Sequence, residues 1–355
     1  MLNSIQDAVR QILPTKRKTN SASGWISFNA PCCIHNGESA DTRGRGGLVM
    51  NPDGGTSYHC FNCNFKASYV PGRHLTYKFR KLLSWLGADE GTIKRLVIDA
   101  IRIKDLVSPE SLVEVVEQEE IKFKARPLPE NAQAFQALNT FYQLNNNIDV
   151  PEEWHRAVLY AAGRNIDLSK YEFYWTPETA SNLHKRIIIP FTWNNEIIGY
   201  TARATHDEVK PKYHNSHEPN YVFNVDQQLP TSKFVIVCEG PFDAMAVDGV
   251  AILGDHCHEQ QADIIDRLSR QVIVVPDFDV KIKNGKKVWS GSNLINQAME
   301  YGWDVAFPIW SDSCKDINEA VIKYGKLFVL KSILESVESS KLKIELHKKR
   351  IYNNL

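Results

Sequence analysis

FVIVCEGPFDA (234–244) and VIVVPDFD (272–279) decide how this chain is read. Each opens as a short, unbroken apolar run, the pattern of a strand buried on both faces. Each ends in carboxylates: Glu239 after the first run, Asp277 and Asp279 after the second. Around these strings the pattern alternates. A helical stretch runs through Asp243 to Asp248, VAIL (250–253) is a second strand, and 259–270 is helical again. Helix 292–301 follows the VIVV strand, then strand WDVAFPI (303–309) and a closing helix, INEAVIKYG (317–325). This alternation predicts an α/β fold, a parallel sheet covered by helices. Open parallel sheets hold their sites at the carboxyl ends of the strands. Two neighbouring strands would therefore gather Glu239, Asp277 and Asp279. Carboxylates that close need cations, and oxygen donors of this kind select Mg²⁺ or Mn²⁺. Such a cluster suits phosphoryl or nucleotidyl transfer. A lone Glu-Gly or Asp-x-Asp is ordinary on a loop; the succession after two apolar strands, 38 residues from Glu239 to Asp277, is specific.

The first 75 residues are rich in Gly, Asn, Ser and Cys and poor in apolar runs, so they need a staple. Cys32-x-x-His35, 24 intervening residues and Cys60-x-x-Cys63 provide one: two ligand pairs on tight turns close a tetrahedral Zn²⁺ site. Strand-like pieces on either side of the Asn51–Gly55 turn would form a ribbon that brings the pairs together, with Phe61 and Phe65 beneath the metal. Cys33 is an extra thiol able to substitute, although its one-residue spacing to His35 is awkward. A zinc ribbon by itself is either structural or nucleic-acid binding. LTYKFRKLLSWLGA (75–88) has helical apolar spacing, and an acidic run (Glu114–Glu120) followed by Lys122, Lys124, Arg126, Pro127 and Pro129 reads as a linker.

Between linker and parallel sheet lies KRIIIPFTWNNEIIGYTARAT (185–205), a hairpin about Asn194-Asn195, followed by KPKYHNS (210–216). By composition alone, a strand flanked by cations is ordinary. Tyr171, Phe173, Tyr174 and Trp175 could stack bases but fit a core better. After Asp279, KIKNGKKVW (281–289) reads as an inserted basic hairpin or a solvated turn. The 42 basic and 42 acidic residues of the 355 balance, which neither favours nor opposes nucleic acid as a partner. No stretch approaches the roughly 18 apolar residues of a membrane span, and the start has no signal-peptide layout, so a soluble cytoplasmic protein is expected. Seven cysteines in such a chain favour metal or free thiols over disulfides.

Glu239-Gly240-x-x-Asp243, then a strand and Asp277-x-Asp279, resembles the Toprim pattern shared by bacterial-type primases, topoisomerases and some nucleases. The resemblance implies that Glu239 assists proton transfer and shares the metal site with Asp243, Asp277 and Asp279. Lys315-Asp316-Ile317-Asn318-Glu319 is similar to the family's Lys-Asp-Pro-Asp-Glu segment. That similarity adds Asp316 to the metal cluster and Lys315 to the nucleotide site, with Asn318 standing where the family has a second Asp. The hairpin resembles the basic nucleotide-binding motif upstream of Toprim in primases; Arg186, Arg203, Lys212, Tyr213 and Asn215 match positions that face the groove and hold nucleotide or template.

Zinc motif, basic hairpin, Toprim and closing segment run in the order of bacterial-type DNA primases, and EGPFDA with the short length is most similar to primases of T-even-type tailed phages. The expected domains are a zinc ribbon (1–75), a helical segment and linker (76–130), a basic subdomain (131–230), the Toprim subdomain (231–340) and a basic tail (341–355). The resemblance implies a nucleotidyltransferase that joins ribonucleoside triphosphates into RNA primers on single-stranded DNA. It implies structural Zn²⁺, catalytic Mg²⁺ or Mn²⁺ and a separate replicative helicase as partner, in the host cytoplasm if the chain is phage-encoded. A topoisomerase would need a tyrosine-bearing domain for which 355 residues leave no room. The alternatives are a Toprim nuclease, which needs no upstream basic motif, and a zinc/Toprim single-stranded-DNA-binding recombination mediator, which need not keep the acidic cluster.

Overall fold

The computed structural model describes residues 4–20, 24–73, 75–106, 121–145, 147–177, 182–283, 286–310 and 314–354. The acidic run Glu114–Glu120 lies outside them. Contacts divide the chain into two compact units, residues 1–120 with 262–269, and 121–261 with 270–355.

In the first unit, helix α1 (Ser4–Ile12) precedes a five-stranded antiparallel sheet in sequential order: β1 (Arg17–Thr19), β2 (Ile26–Phe28), β3 (Gly46–Met50), β4 (Thr56–Cys60) and β5 (Lys66–Tyr69). The expected ribbon is β3 and β4, paired from Gly46↔Cys60 to Met50↔Thr56. Helices α2 (Tyr77–Trp85) and α3 (Glu90–Leu106) follow. Thr76 caps α2 by accepting the Phe79 N–H, the ordinary way to satisfy one of the free donors at a helix start. The apolar spacing read in 75–88 buries Leu75, Phe79, Leu82 and Leu83 in one core with Ile5 and Val9 of α1, Leu48, and Leu96, Ala100 and Ile103 of α3. The zinc-ribbon segment therefore has a helical core beside its cysteines, and its contacts extend it to residue 120.

Asp41 pins the loop between the first cysteines and β3. Its carboxylate accepts from the Ala30, Arg43 and Arg45 N–H groups and from Arg45 Nε, at 2.7–3.0 Å. Those bonds outweigh its burial and hold its pKa down at about 2. A depressed carboxylate stabilises the fold fully above its unfolded value and loses that contribution only as pH falls toward the folded one. Asp41→Asn is expected to cost roughly 2 kcal/mol at pH 7 in urea unfolding. The gap to the unsubstituted protein should stay constant from pH 5 to 8; a gap that changed within that window would contradict the assignment.

The second unit begins with β6 (Gln133–Ala134), α4 (Phe135–Leu144), α5 (Glu152–Gly163), β7 (Tyr174–Trp175), β8 (Arg186–Trp193), β9 (Glu196–Ala204) and β10 (Tyr213–Ser216). Its strands form an antiparallel sheet in the order β10-β9-β8-β7-β6, and the 185–205 hairpin is β8 and β9. Next come β11 (Phe234–Cys238), α6 (Pro241–Val247), β12 (Val250–Ala251), α7 (Glu259–Arg267), whose residues from 262 on group with the first unit, and β13 (Gln271–Val274). The hairpin β14 (Val280–Lys283) and β15 (Lys286–Trp289) leads to α8 (Ser292–Tyr301) and β16 (Asp304–Ala306). Helices α9 (Ile317–Tyr324) and α10 (Lys326–Glu335), strand β17 (Val337–Glu338) and helix α11 (Lys341–Asn354) end the chain. The second sheet has the order β12-β11-β13-β16-β17, parallel except for β17. From β11 the chain steps to β12 on one side, then returns to β13 on the other. The carboxyl ends of β11 and β13 thus flank a switch point, where open α/β sheets open a crevice.

Both sheets share one core. Ile187, Ile189 and Phe191 of β8 cluster with Ile236 and Cys238 of β11, and with Phe242, Ile273 and Ile317. Tyr171, Phe173 and Trp175 are buried in the same cluster, the core role the sequence favours for them. Among the described residues no helix is long and apolar enough to cross a membrane.

Candidate active site and metal centre

Cys32, Cys33, Cys60 and Cys63 bring their sulfurs within 4.8 Å of one another. Two sulfur pairs, Cys32–Cys63 and Cys33–Cys60, stand 3.5 Å apart. A tetrahedron with metal–sulfur bonds of about 2.3 Å has edges near this length, so the donor set fits Zn²⁺. Tyr58 lies 3.3 Å from Cys32 Sγ, and the amides of Asn36 and Asn62 donate to Cys63 and Cys33 at 3.4 Å. Such donors stabilise thiolates. Burial otherwise pushes the Cys32 thiol well up and Cys33 to about 11. Buried thiols that resist ionisation, as Cys32 and Cys33 do, are the setting a dication resolves.

His35 departs from the expected set. Cys33 is fully buried, whereas the His35 ring is exposed and lies flat on Trp85, centroids 4.7 Å apart and planes 4° from parallel. The chain runs through a 3₁₀ turn at Cys33–Asn36, and that turn carries Cys33 into the core and His35 outward. Phe61 also departs: it is 64% exposed beside His59 and Trp25, while Phe65 packs edge-on against Trp85 as expected.

In the second unit, Glu239 follows β11, and Asp277 and Asp279 follow β13. Val237 pairs with Val274, so the two acidic loops leave the sheet side by side. The loop after β13 is held from three sides. Trp289 Nε1 donates to the Asp277 carbonyl at 2.6 Å, Ser290 N and Oγ both donate to the Asp279 carbonyl at 2.9 Å, and Phe278 N donates to the Lys315 carbonyl at 2.7 Å. That last bond draws Asp316 to the same edge. The stretch after Asp279 is a β-hairpin whose end, Trp289, stacks on Phe278. Gly291 is required by close approach, since a Cβ there would stand 2.6 Å from Pro276 Cβ and 2.7 Å from the Asp277 carbonyl.

Asp243 is buried on α6. Its Oδ1 accepts the Asn318 N–H at 2.9 Å, and a Cβ on Gly240 would fall 2.8 Å from its Oδ2. Gly240 is therefore needed for room and not for its backbone angle. Asp316 caps the same helix, α9, by accepting Glu319 N–H at 2.7 Å. Burial pushes the Asp243 carboxyl well up, and Asp316 and Asp277 push it further, against the Asn318 bond and Arg164. Asp316 is raised by burial too, with Glu319 and Asp279 adding to the rise. The thiol of Cys238, at the end of β11, is raised by burial and then by Asp243, Asp277, Glu239 and Asp316. All four carboxylates thus act on one point at the end of β11. Desolvated carboxylates that repel one another favour a cation among them, although among the described residues only the four cysteines bring their ligand atoms within 4.8 Å of one another.

Cations meet this cluster from the antiparallel sheet. Arg203 pairs with Ile187 and with Tyr213, and Thr201 with Ile189 and Asn215. Arg203, Thr201, Tyr213 and Asn215 therefore share the β-sheet face that carries Ile187 and Ile189 into the common core. The Arg203 guanidinium lies 4.7 Å over Tyr213, and Thr201 Oγ1 donates to Asn215 Oδ1. Burial pushes Tyr213 up to about 12. Lys212 is lowered by burial, then by Arg203 and Arg164, and pulled back by Asp279 and Asp316. Lys315 is exposed beside Asp316.

Arg186 is not among the groove residues. It pairs with Ala204 on the opposite parity and is 2% exposed. Its Nε donates to the Asn182 carbonyl, Nη1 to those of Ala202 and Lys212, and Nη2 to that of Pro211. A guanidinium spent on backbone carbonyls is a brace for the turn that presents Lys212. Arg186→Met is expected to lower stability by roughly 3 kcal/mol through the carbonyls it strands. Tm should fall in thermal melts; an unchanged Tm would contradict the bracing role.

Arg164, with no signal in YAAGRNID to announce it, interacts electrostatically with Asp316 and Tyr213. It caps α5, packs 5.1 Å from the Tyr160 and Phe242 rings, and donates to Asn318 Oδ1 at 3.0 Å, while Asn318 Nδ2 donates back to its carbonyl at 2.8 Å. Burial opposes its charge, but Tyr160, Tyr213 and Asp316 more than compensate. Asn318, fully buried, is thus a tie between α5 and α9.

No protein-family model and no curated protein matches the chain. Similar solved structures include the Aquifex aeolicus primase (zinc-binding and RNA polymerase domains), with 15% identity over 94% of this chain and 84% of that one and a TM-score of 0.42. The RNA polymerase domain of Mycobacterium tuberculosis primase DnaG shares 17% identity over 58% of this chain and 82% of its own, TM-score 0.44. A DnaG catalytic core shares 19% identity over 57% and 78%, TM-score 0.42. Similarity at this level does not by itself assign a function.

Proposed function

We propose that the chain is a DNA primase, joining ribonucleoside triphosphates into short RNA primers on single-stranded DNA. The observation that carries this reading is the meeting, within one unit, of the carboxylates at the ends of β11 and β13 with Arg203, Lys212 and Arg164. Four acids alone would suit many metal enzymes. Acids faced by three cations suit a polyanionic substrate whose phosphates bridge the two sets.

In this reading Glu239, Asp277, Asp279 and Asp316 hold Mg²⁺ or Mn²⁺, with Asp243 beneath them. When bound, such ions neutralise the triphosphate and favour ionisation of the attacking 3′-hydroxyl. Arg203 and Lys212 bind phosphate oxygens, Lys315 reaches them from the opposite loop, and Tyr213 and Asn215 line the path. Glu239, first after its strand, takes the proton leaving the hydroxyl. Arg164 keeps Asn318, and through it Asp243, in register. Cys32, Cys33, Cys60 and Cys63 would hold Zn²⁺, which fixes the ribbon that meets template. We read the EGPFDA string and the short length as those of a T-even-type phage primase, with a replicative helicase as partner in the cytoplasm.

Incubation with labelled ribonucleotides, Mg²⁺ and single-stranded DNA is expected to give template-dependent label incorporation that chelation abolishes. Incorporation without template, or shortened DNA in place of RNA, would reject the reading and favour a terminal transferase or a nuclease.

A further inference from the structure

A second recess opens at the edge of the parallel sheet that carries the acids. Cys238 pairs with Ala251, so Ile252 stands level with Glu239 one strand away. The loop from Ile252 to His258 then forms one wall of a cavity of about 290 Å³, and His217 to Tyr221, after β10, forms the other. The proposed mechanism uses none of these residues.

Among the described residues the lining includes three imidazoles, His217, His256 and His258, with Tyr221 and Asn220, but no lysine or arginine and a single carboxylate, Asp255. A phosphate site would need cations, and a cation site would need converging carboxylates. Planar rings and neutral donors and acceptors suit a flat heterocycle. The walls are fixed in advance. Gln261, 3% exposed, donates to the Tyr221 and Ile252 carbonyls at 2.9 and 2.8 Å and accepts the His258 N–H at 3.0 Å, stapling wall to wall. His217 Nδ1 donates to the Glu218 carbonyl at 2.7 Å, which leaves Nε2 as an acceptor. Burial holds that ring neutral. The exposed rings of His256 and His258 stand 4.7 Å apart at the rim. Leu253, on the wall, adopts a left-handed φ of 61°, a conformation an unbranched turn would give to Gly or Asn.

We propose that this cavity is a nucleobase pocket, taking one unpaired base whose phosphates stay outside, toward the acidic groove. The proposal rests on the primase reading for its placement beside the groove, but not for its chemistry. It is tested by binding, which is independent of turnover. Affinity of the full chain for a short single-stranded oligodeoxynucleotide, and separately for a ribonucleoside triphosphate, is measured by fluorescence anisotropy or calorimetry. The proteins compared are the unsubstituted chain, His256→Ala with His258→Ala, and Gly254→Phe. Gly254 is in the lining and a Cβ there would meet nothing within 4 Å, so Phe places a bulky ring at the recess without a clash at its Cβ. Both variants are expected to bind roughly ten-fold more weakly to one of the two ligands, the size of one lost stacking contact. Loss confined to the oligonucleotide identifies a template base, and loss confined to the triphosphate an incoming base. Unchanged affinity for both ligands in the Gly254→Phe variant overturns the pocket. Weakened binding in a chain that makes no primers would keep the pocket and remove the primase reading.

Discussion

Glu239→Gln is expected to cut primer synthesis by roughly 10²–10⁴-fold in kcat, and Asp277→Asn by a similar factor, with little change in Tm. Gln keeps the volume of Glu239 and one acceptor oxygen, but it can neither take a proton nor balance a dication. Asp277 lies half-buried at the mouth of the crevice, with its backbone already fixed by Trp289 and Gly291. Changing its side chain leaves that support in place, so the loss should be chemical and not structural. Arg203→Met should behave differently, raising KM for ribonucleotide by more than it lowers kcat, as loss of a phosphate contact made in ground and transition states alike. Single-turnover rates together with thermal melts check both. Near-normal synthesis by Glu239→Gln would show that the proton leaves by another route.

The second large effect concerns the metal centre. Cys33→Ser should abolish stoichiometric zinc and unfold the first unit, whereas His35→Ala should keep one zinc per chain. Three thiolates and a hydroxyl make a much weaker site than four thiolates, and metal-binding energy is folding energy in so small a unit. The His35 ring contributes stacking on Trp85, worth on the order of 1 kcal/mol, so its loss lowers Tm slightly. Metal analysis of the purified variants, with tryptophan fluorescence for folding, decides between the two sets. Zinc retained by Cys33→Ser and lost by His35→Ala would restore the spacing-based assignment.

That exchange marks where sequence reading stops. Ligand pairs are legible from spacing, and Cys60-x-x-Cys63 stands as read. The choice between Cys33 and His35 depends on Trp85, 50 residues further on, and on which side of a 3₁₀ turn faces the core. The strands FVIVC and VIVV and helix 292–301 were legible because unbroken apolar runs and amphipathic spacing leave few other homes for those residues. Arg186 and Arg203 looked equivalent as cations on a hairpin. Strand parity separates them, and parity is fixed only when the register Ile187↔Arg203 is known. Arg164 left no trace because its importance comes entirely from a contact with Asn318, 154 residues away. Helix α10 left little trace because it buries only Val329 and Ile333, and strand β17 because it is two half-buried residues at the sheet edge.

Primer synthesis is read by mass analysis of the products formed from the four ribonucleoside triphosphates on single-stranded DNA with no primer added. A primase yields oligoribonucleotides a few residues long that carry a 5′-triphosphate, formed only with a divalent cation and lost in Glu239→Gln. DNA fragments with new ends, or ribonucleotides recovered unjoined by a folded, zinc-loaded chain, would contradict the primase reading.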